Sequence, residues 1–229
     1  IRIASGPVTN MGEAADVVIA FNEQVPYSRI DVGALGPGTV LFLESMWATS
    51  PDETVRAAYA EAVADFHDKG YRLIEVPMDA ECRKVIEDPR RGKNIWSLGL
   101  LCWLYERDLS IVDDLIERKL GKKGLAVVEA NRSLLRAGYE WAAANLDFRF
   151  RVPVQESAEA RVVMNGNEAL ALGIMAAGIE VCAMYPITPA TSVSHYLAAR
   201  FKEVGGIVPQ AEDEIAAIGF AIGASYAGK

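Results

Sequence analysis

A rigid loop in the last third of the chain holds a threonine hydroxyl in a setting suited to ligand binding. The loop consists of Tyr185, Pro186, Ile187, Thr188 and Pro189. Each proline fixes its own φ angle and pushes the residue before it towards extended backbone, so the Thr188 hydroxyl is held in one place. A helix is predicted to start just after this loop, and its first amide groups could attract a substrate carboxylate. The alternative is a proline-rich turn that only leads into an ordinary helix.

A carboxylate, Glu214, stands further along the chain at the start of another predicted helix. Small residues follow it at close intervals, namely Ala216, Ala217, Gly219, Ala221 and Gly223. Small side chains allow a neighbouring helix or a cofactor to approach closely, although each glycine lowers helix propensity by roughly 1 kcal/mol. The acidic run at residues 212–214 could instead only complement the helix dipole, and this alternative stays open.

The elements that must position these residues follow the alternation of an α/β fold. Residues 16–21, 39–44 and 71–76 are short apolar runs of the kind that form strands buried on both faces. Ser50 and Glu53 match a capping box with a proline at the first helical position, which predicts a helix over residues 51–70. Strand, helix and strand in this order predict an open, mostly parallel sheet.

Helical patterns at residues 94–105, 110–120 and 125–145 complete a first domain, predicted to span residues 1–150. Ser110 is the predicted cap of the middle helix. Residues 151–161 are predicted to be a linker, because Pro153 is followed by a polar stretch without periodicity.

The alternation resumes over residues 162–229. Helices are predicted at 166–177, at 192–204 and from Asp213, with strands at 180–184 and 207–210. The chain starts without Met in a strand-like run and stops inside an apolar helical pattern. We therefore expect a piece of a longer polypeptide, with parts of both domains outside it.

Composition excludes several classes of protein and of site. The 229 residues carry 31 acidic against 23 basic side chains, which argues against a nucleic-acid partner. The apolar runs are too short to span a bilayer, so no membrane contact is expected. Cys82, Cys102 and Cys182 are widely spaced, which favours free thiols in a reducing, cytoplasmic setting. Three cysteines and two histidines, without a C-x-x-C pair, predict no iron-sulfur cluster and no metal site in this chain.

Three motifs in order carry a specific resemblance. Residues 165–173 read N-G-N-E-A-L-A-L-G, residues 185–189 read Y-P-I-T-P and residues 210–217 read Q-A-E-D-E-I-A-A. Together they strongly resemble the start of the alpha subunit of 2-oxoacid:ferredoxin oxidoreductases, which reads G-N-E-A-x-A-x-G, then Y-P-I-T-P-x-T, then Q-x-E-D-E-x-A-A-x-G. The resemblance implies that residues 162–229 begin a thiamine-diphosphate-binding α/β domain of the pyrimidine type.

The first domain resembles the gamma domain of the same family more weakly. The segment I-R-I-A-S at residues 1–5 and K-N-I-W-S-L-G at residues 93–99, close to the family's K-N-M-x-x-L-G, carry this likeness. The gamma domain is the part of the family associated with coenzyme A. A gamma domain followed by an alpha domain resembles the fused large subunit found in 2-oxoglutarate enzymes.

The resemblance implies a role for each residue of the two motifs. Glu214 is expected to hydrogen-bond N1′ of the thiamine aminopyrimidine, which requires it to be largely desolvated, and Glu212 is its rival. Thr188 is expected to hydrogen-bond the 2-oxoacid, with Tyr185 also in the substrate site. Pro186 and Ile187 are expected to shape the pocket beside the cofactor.

The implied reaction is the oxidative decarboxylation of a 2-oxoacid, with 2-oxoglutarate favoured, to an acyl-coenzyme A, with electrons passed to ferredoxin. No Gly-Asp-Gly motif with a following Asn occurs here. A beta subunit is therefore expected to hold the diphosphate, its magnesium ion and an iron-sulfur cluster, in a dimer of heterodimers. Two alternatives stay open: a non-catalytic assembly module of such a complex, and a thiamine-dependent decarboxylase or transketolase-type enzyme.

Two further groups are interpreted conservatively. Residues 90–93, R-R-G-K, could meet coenzyme A phosphates or ferredoxin, but solvated loop charges are the favoured interpretation. His195 could approach the substrate, but a partly exposed helical histidine is favoured.

Overall fold

The computed structural model describes residues 2–4, 6, 8, 10, 12–153 and 162–229. The chain divides into two compact units, residues Ile1–Gln155 (unit 1) and Glu156–Lys229 (unit 2). Residues 154–161 of the predicted linker lie outside the described residues, as do Ile1 and Ser5 of the N-terminal motif.

Unit 1 contains three strands and six helices within its described residues. The strands are β1 (Ala15–Ala20), β2 (Leu35–Glu44) and β3 (Arg72–Val76). The helices are α1 (Gln24–Asp31), α2 (Glu53–Asp68), α3 (Met78–Arg83), α4 (Lys93–Leu104), α5 (Leu109–Leu120) and α6 (Leu125–Asn145). Short 3₁₀ helices at Ser45–Thr49, Pro89–Arg91 and Gly121–Lys123 connect them.

The strands form one open parallel sheet in the order β1-β2-β3, which confirms the predicted α/β fold. Leu41 of β2 pairs with Val18 of β1 on one side and with Leu73 of β3 on the other. Because all three strands run in the same direction, their carboxyl ends meet at one edge of the sheet.

The middle strand β2 divides the core of unit 1 into two layers. Val40 and Phe42 pack into the cluster that contains helix α4, whereas Leu41 and Leu43 pack into the cluster that contains helix α2. Successive side chains of a strand point to opposite faces, so an apolar run serves both layers. Each such fully buried side chain stabilises the fold by about 1.5–3 kcal/mol.

Helices α4 and α6 approach each other backbone to backbone. A Cβ atom added at Gly99 would lie 1.9 Å from the carbonyl oxygen of Leu135. A Cβ atom added at Gly138 would lie 1.8 Å from the carbonyl oxygen of Trp96. Glycine is therefore required at both positions for this packing.

The predicted cap of helix α2 is wrong. The carboxylate of Asp52, not the hydroxyl of Ser50, accepts the free amide of Thr54 at 2.8 Å, and the helix begins at Glu53 instead of Pro51. The carboxylate is a strong acceptor at the positive end of a helix, so it displaces the hydroxyl. Ser50 instead accepts a hydrogen bond from the Asp52 amide at 3.3 Å.

Helix α5 shows the same correction. The cap is the carboxylate of Asp108, which accepts from the Ser110 amide at 2.9 Å, so Ser110 lies inside the helix that it was predicted to cap. The short helices α1 and α3 were not predicted, because neither is long enough for a clear apolar period.

Unit 2 contains helices α7 (Gly166–Ala176), α8 (Thr191–Arg200) and α9 (Glu214–Tyr226), with a 3₁₀ turn at Phe201–Val204. The strands predicted at 180–184 and 207–210 are reduced to two isolated parallel bridges, Val181 with Ile207 and Met184 with Gln210. The small core of this unit consists of Ala171, Leu197 and Phe201 with a few half-buried neighbours.

The three cysteines are free, with Cys82 and Cys102 buried and Cys182 half-buried. Burial raises the pKa of Cys82 to about 12, so little reactive thiolate forms there at neutral pH. Among the helices of the described residues, none combines the length and the apolar character that crossing a membrane requires.

Candidate functional site

The segments that lead to Thr188 and Glu214 lie side by side in unit 2. The amide of Met184 donates to the carbonyl of Pro209 at 3.2 Å, and the amide of Ala211 donates to the carbonyl of Met184 at 2.8 Å. Because the two segments are parallel, the loop that carries Thr188 and the turn that precedes Glu214 leave the same edge. Ligands of α/β folds bind at such edges.

Thr188 lines a cleft of about 670 Å³ in unit 2. Its other walls come from the first residues of helices α7 and α8, including Asn167 and Ser192, and from His195. His195 is exposed, as the conservative interpretation predicts, yet it shares this cleft with Thr188. The cleft therefore combines hydroxyl and amide groups with one imidazole, a set suited to a polar ligand.

Asn167 fastens the proline loop to helix α7. Its side-chain amide donates to the carbonyl of Pro189 at 3.0 Å and to the hydroxyl of Ser192 at 2.5 Å. Asn167 is itself fixed, because Asn165 and Glu168 close a capping box at the start of this helix. Sequence reasoning used the N-G-N-E-A motif only as a likeness and missed this contact, although an asparagine at the start of a helix is a signal for such bonding.

Of the three acidic residues at positions 212–214, one caps helix α9 and the other two do not. Asp213 is the cap, since its side chain accepts from the Ala216 amide at 2.7 Å. Glu212 and Glu214 are exposed and make no hydrogen bond to another described residue. The macrodipole alternative therefore applies to Asp213 as the cap and equally to Glu214, which lies in the first turn of α9. Neither Glu212 nor Glu214 is engaged by a hydrogen bond within the described residues.

The remaining predicted site residues do not line the cleft that contains Thr188. Tyr185 and Ile187 are exposed and Pro186 is half-buried, and none of them lines it. Glu214 does not line it either, and its expected burial is not provided by the described residues of this chain.

A second cleft, of about 680 Å³, lies at the carboxyl edge of the sheet in unit 1 and was not predicted from the sequence. Phe21 follows β1, Trp47 follows β2, and Asp79, Arg83 and Lys93 come from helices α3 and α4. The indole nitrogen of Trp47 donates to the carbonyl of Phe21 at 2.8 Å and so ties two strand ends together.

A buried group of charges forms the floor of this second cleft. The Lys93 ammonium lies 2.9 Å from a carboxylate oxygen of Glu44 and 3.2 Å from one of Asp79. Glu44 is fully buried, and Asp79 and Lys93 are 7% and 8% exposed. The interpretation of Lys93 as a solvated loop charge is therefore wrong, because this residue opens the apolar helix α4 and points its ammonium at two carboxylates. The sequence did contain one sign of a buried ion pair, because Glu44 ends a largely apolar strand and a buried carboxylate needs a cation beside it.

The Asp79 carboxylate connects this buried group to the surface. Its second oxygen accepts from Nε of Arg83 at 2.7 Å. Burial alone would raise the pKa of Asp79, but the hydrogen bonds from Arg83 and Lys93 outweigh burial and hold this pKa below its usual range. Asp79 therefore stays ionised at neutral pH.

Comparison with known protein families gives two matches. Residues 1–141 match the model described as pyruvate ferredoxin/flavodoxin oxidoreductase. Residues 172–229 match the model described as pyruvate flavodoxin/ferredoxin oxidoreductase, thiamine diphosphate binding.

Individual relatives cover the whole chain. A protein of Mycobacterium tuberculosis described as 2-oxoglutarate oxidoreductase subunit KorA is 30% identical over 244 residues, covering all of this chain and 37% of the relative. The 2-oxoacid:ferredoxin oxidoreductase 1 subunit alpha of Sulfurisphaera tokodaii is 36% identical over 267 residues, covering all of this chain and 41% of the relative. The chain thus spans well under half the length of these relatives.

One solved structure is similar across most of the chain. It is the 2-oxoglutarate:ferredoxin oxidoreductase from Magnetococcus marinus with 2-oxoglutarate, coenzyme A and succinyl-CoA bound. The TM-score is 0.75 at 33% identity, and the match covers 93% of this chain and 35% of the other.

Proposed function

Because this chain belongs to the pyruvate ferredoxin/flavodoxin oxidoreductase family, we propose that it is the gamma and alpha portion of a 2-oxoacid:ferredoxin oxidoreductase. Residues 1–150 would be the gamma-type domain and residues 162–229 the start of the thiamine-binding domain. The observation that carries the proposal is the parallel pairing of Met184 with Gln210. Because of this pairing, the loop that carries Thr188 and the turn before Glu214 begin at the same edge.

The proposed substrate is 2-oxoglutarate. Two observations support it: the name of the Mycobacterium tuberculosis relative, and the ligands of the Magnetococcus marinus structure. In the proposed reaction, the 2-oxoacid loses carbon dioxide, the acyl group forms a thioester with coenzyme A, and two electrons pass to two ferredoxins with release of one proton.

The residues present fit a thiamine aminopyrimidine ring. Glu214 offers a carboxylate without a partner among the described residues, at the start of a helix where Gly219 and Gly223 face open space. We assign Glu214 to N1′ of the ring, with Glu212 as its rival. Bound thiamine diphosphate supplies the carbon nucleophile and the electron sink for decarboxylation. The burial that Glu214 needs for this role would come from other parts of the enzyme.

Thr188 is assigned to the substrate. Its hydroxyl can donate to an oxygen of the 2-oxoacid, and Asn167 keeps the loop in place by its two hydrogen bonds. Tyr185 is assigned to the substrate site as well, and Pro186 and Ile187 are assigned to the wall beside the cofactor. A pre-positioned hydroxyl orients the substrate without loss of further side-chain freedom on binding.

The remaining components of the reaction are assigned to partners. A beta subunit would hold the diphosphate with its magnesium ion and an iron-sulfur cluster, and ferredoxin would receive the electrons. Two such pairs would form a dimer of heterodimers in the cytoplasm. The subunit names of the relatives support the presence of further subunits.

The test is Glu214→Gln in the complete enzyme, assembled with its beta subunit. Exchange of the C2 proton of bound thiamine diphosphate and 2-oxoglutarate-dependent reduction of ferredoxin are both expected to be abolished, while the complex still assembles. A glutamine cannot share a proton with N1′ as a carboxyl group does.

Glu212→Gln is the matched control, with exchange and reduction expected to remain. Unchanged C2 exchange in Glu214→Gln would reject its assignment, and abolished exchange in Glu212→Gln alone would transfer the role to Glu212. C2 exchange by a complex that oxidises no 2-oxoacid would favour a different thiamine-dependent reaction. A complex that binds no thiamine diphosphate would favour the assembly module.

A further inference from the structure

His195 is the one ionisable side chain among the described residues that line the cleft with Thr188. The other lining residues carry hydroxyl, amide or no polar side-chain groups, namely Asn165, Gly166, Asn167, Thr188, Pro189, Thr191 and Ser192. Within this described lining, no carboxylate contributes to the wall. The cleft therefore holds one group that can carry positive charge and none that is negative, which favours an anionic ligand.

The helices that form the walls bring no free carboxylate to the cleft. Glu168 is the acidic residue of α7, and its side chain accepts from the backbone amide of Asn165 at 3.0 Å to close the capping box. Helix α8 has no acidic residue in its first turn and no side-chain cap. An anion in the cleft is therefore not opposed by a free carboxylate from either helix.

The imidazole of His195 is available to such a ligand. It is exposed and makes no hydrogen bond or ion pair to another described residue. Its helix is nevertheless held in place, because Leu197 of α8 is fully buried in the core of unit 2. The exposed ring adds little to the stability of this core. A fixed helix thus presents a ring whose nitrogens are open to the cleft.

The spacing between Thr188 and His195 matches a ligand of a particular length. Thr188 lies in the loop just before α8, and Thr191 is the first residue of this helix. From Thr191 to His195 the helix rises by about 6 Å. The carbon chain that separates the two carboxylates of 2-oxoglutarate has a similar length. A ligand held at Thr188 could therefore reach His195 with its far end.

We propose that His195 donates a hydrogen bond to the distal carboxylate of a dicarboxylic 2-oxoacid, while Thr188 contacts the oxo end. The inference rests on the proposed function, which assigns Thr188 to the substrate. His195 is then a specificity-determining residue. A substrate without the distal carboxylate leaves the imidazole without a partner and forgoes a charged hydrogen bond.

The test compares two substrates of the assembled enzyme. They are 2-oxoglutarate and 2-oxopentanoate, which has the same carbon chain with a methyl group in place of the distal carboxylate. In His195→Leu, the KM for 2-oxoglutarate is expected to rise about tenfold or more, because a charged hydrogen bond is lost. The KM for 2-oxopentanoate is expected to stay the same. Thr188→Ala, in contrast, is expected to raise both KM values by similar factors, since both substrates present the same oxo group.

Two further variants serve as controls. His67→Leu is the same substitution at an exposed histidine of helix α2 in unit 1, and it is expected to change either KM by about twofold at most. His195→Gln keeps an N–H donor without a charge, so it is expected to lose less affinity for 2-oxoglutarate than His195→Leu.

Binding of glutarate and pentanoate separates this contact from turnover, because neither compound has an oxo group to react. In titration calorimetry with the assembled enzyme, His195→Leu is expected to weaken glutarate binding about tenfold and to leave pentanoate binding unchanged. An enzyme that binds glutarate through His195 but oxidises no 2-oxoacid would refute the proposed reaction and leave this contact standing.

Unchanged affinity for 2-oxoglutarate and glutarate in His195→Leu would overturn the proposal, as would equal losses for the ligands with and without the distal carboxylate. A fall in kcat for both substrates at constant KM would overturn it as well, because such a result assigns His195 to proton transfer instead of carboxylate recognition.

Discussion

Unit 1 buries a large apolar core, whereas the last helix of unit 2 exposes most of its apolar side chains. Leu41, Phe42 and Leu43 of unit 1 are fully buried between two layers of helices. Helix α9 of unit 2 has no buried residue, and its Ile215 and Tyr226 are 83% and 92% exposed. A helix that is apolar on all sides is stable in water only when other protein covers it.

The difference explains how each unit builds its site. The cleft of unit 1 is formed by residues that follow its own strands and by helices α3 and α4, and ion pairs within the unit form its floor. The Thr188 loop and the start of α9 provide polar groups at one edge, while an apolar helix beside them stays open. We therefore expect the site of unit 1 to be complete in itself and the site of unit 2 to be completed by other parts of the enzyme.

The largest expected effect comes from Gly138→Ala in unit 1. Its Cβ would overlap the Trp96 carbonyl, so helices α4 and α6 would have to separate. We expect a loss of about 3–5 kcal/mol in the free energy of unfolding. All four tryptophans lie in unit 1, so tryptophan fluorescence during denaturant unfolding reports this unit selectively.

Gly223→Ala in unit 2 is the matched control, and its unfolding is followed by far-ultraviolet circular dichroism because unit 2 contains no tryptophan. Nothing lies within 4 Å of its added Cβ, so the chain itself is expected to keep or gain up to about 1 kcal/mol. In the complete enzyme the same change is expected to weaken binding of thiamine diphosphate. A loss of stability in the chain alone would contradict the open face of α9.

A core truncation gives the next largest contrast. Leu100→Ala in the buried cluster of unit 1 is expected to lower the free energy of unfolding by about 3 kcal/mol, because it leaves a cavity. Ile218→Ala on α9, where the side chain is 61% exposed, is expected to change it by about 0.5 kcal/mol or less.

The comparison becomes sharper in the assembled complex. If other protein covers α9, Ile218→Ala lowers the melting temperature of the complex although it leaves the chain by itself unchanged. Equal effects of this substitution on chain and complex would show that the face of α9 stays open after assembly.

The smallest effect expected of a structural contact, as opposed to a control, concerns the loop of unit 2. Asn167→Ala removes the hydrogen bonds to Pro189 and Ser192, with a net local loss of about 1 kcal/mol. Amide exchange over residues 188–192 is expected to accelerate, and the KM for the 2-oxoacid is expected to rise a few-fold. Asn131→Ala, whose amide bonds only to its own helix at Val127, is the control and leaves this loop unchanged. Unaltered exchange at the loop in Asn167→Ala would contradict the anchoring role.

The regular elements of unit 1 were largely predictable. The strands predicted at 16–21 and 71–76 agree with β1 and β3 within one residue, and the helix at 125–145 agrees with α6. Long apolar runs and clear helical periods contain this information locally. The caps were not predictable, because Ser50 and Asp52 compete for one amide and only the folded backbone decides between them.

The family could also be recognised from short motifs, and the matched family models confirm it. The roles of Thr188 and Glu214 remain predictions, since the structure brings their loops to one edge without placing both side chains in one cleft. The anchoring contacts of Asn167 were missed because they depend on its hydrogen-bond partners and not on a motif.

Apolar periodicity and ordered motifs are local properties of the chain, so they sufficed to predict the three strands of unit 1, most of the helices and the family, although β2 begins four residues earlier than predicted and the strands of unit 2 are reduced to bridges. Which charges are buried, and where they point, depended on the folded structure. Glu44, Asp79 and Lys93 are far apart along the chain, and they meet because parallel strands end at one edge of a sheet. Pairing a charge in the core depends on such distant neighbours, since an ion can leave water only where opposite charges and hydrogen-bond partners surround it.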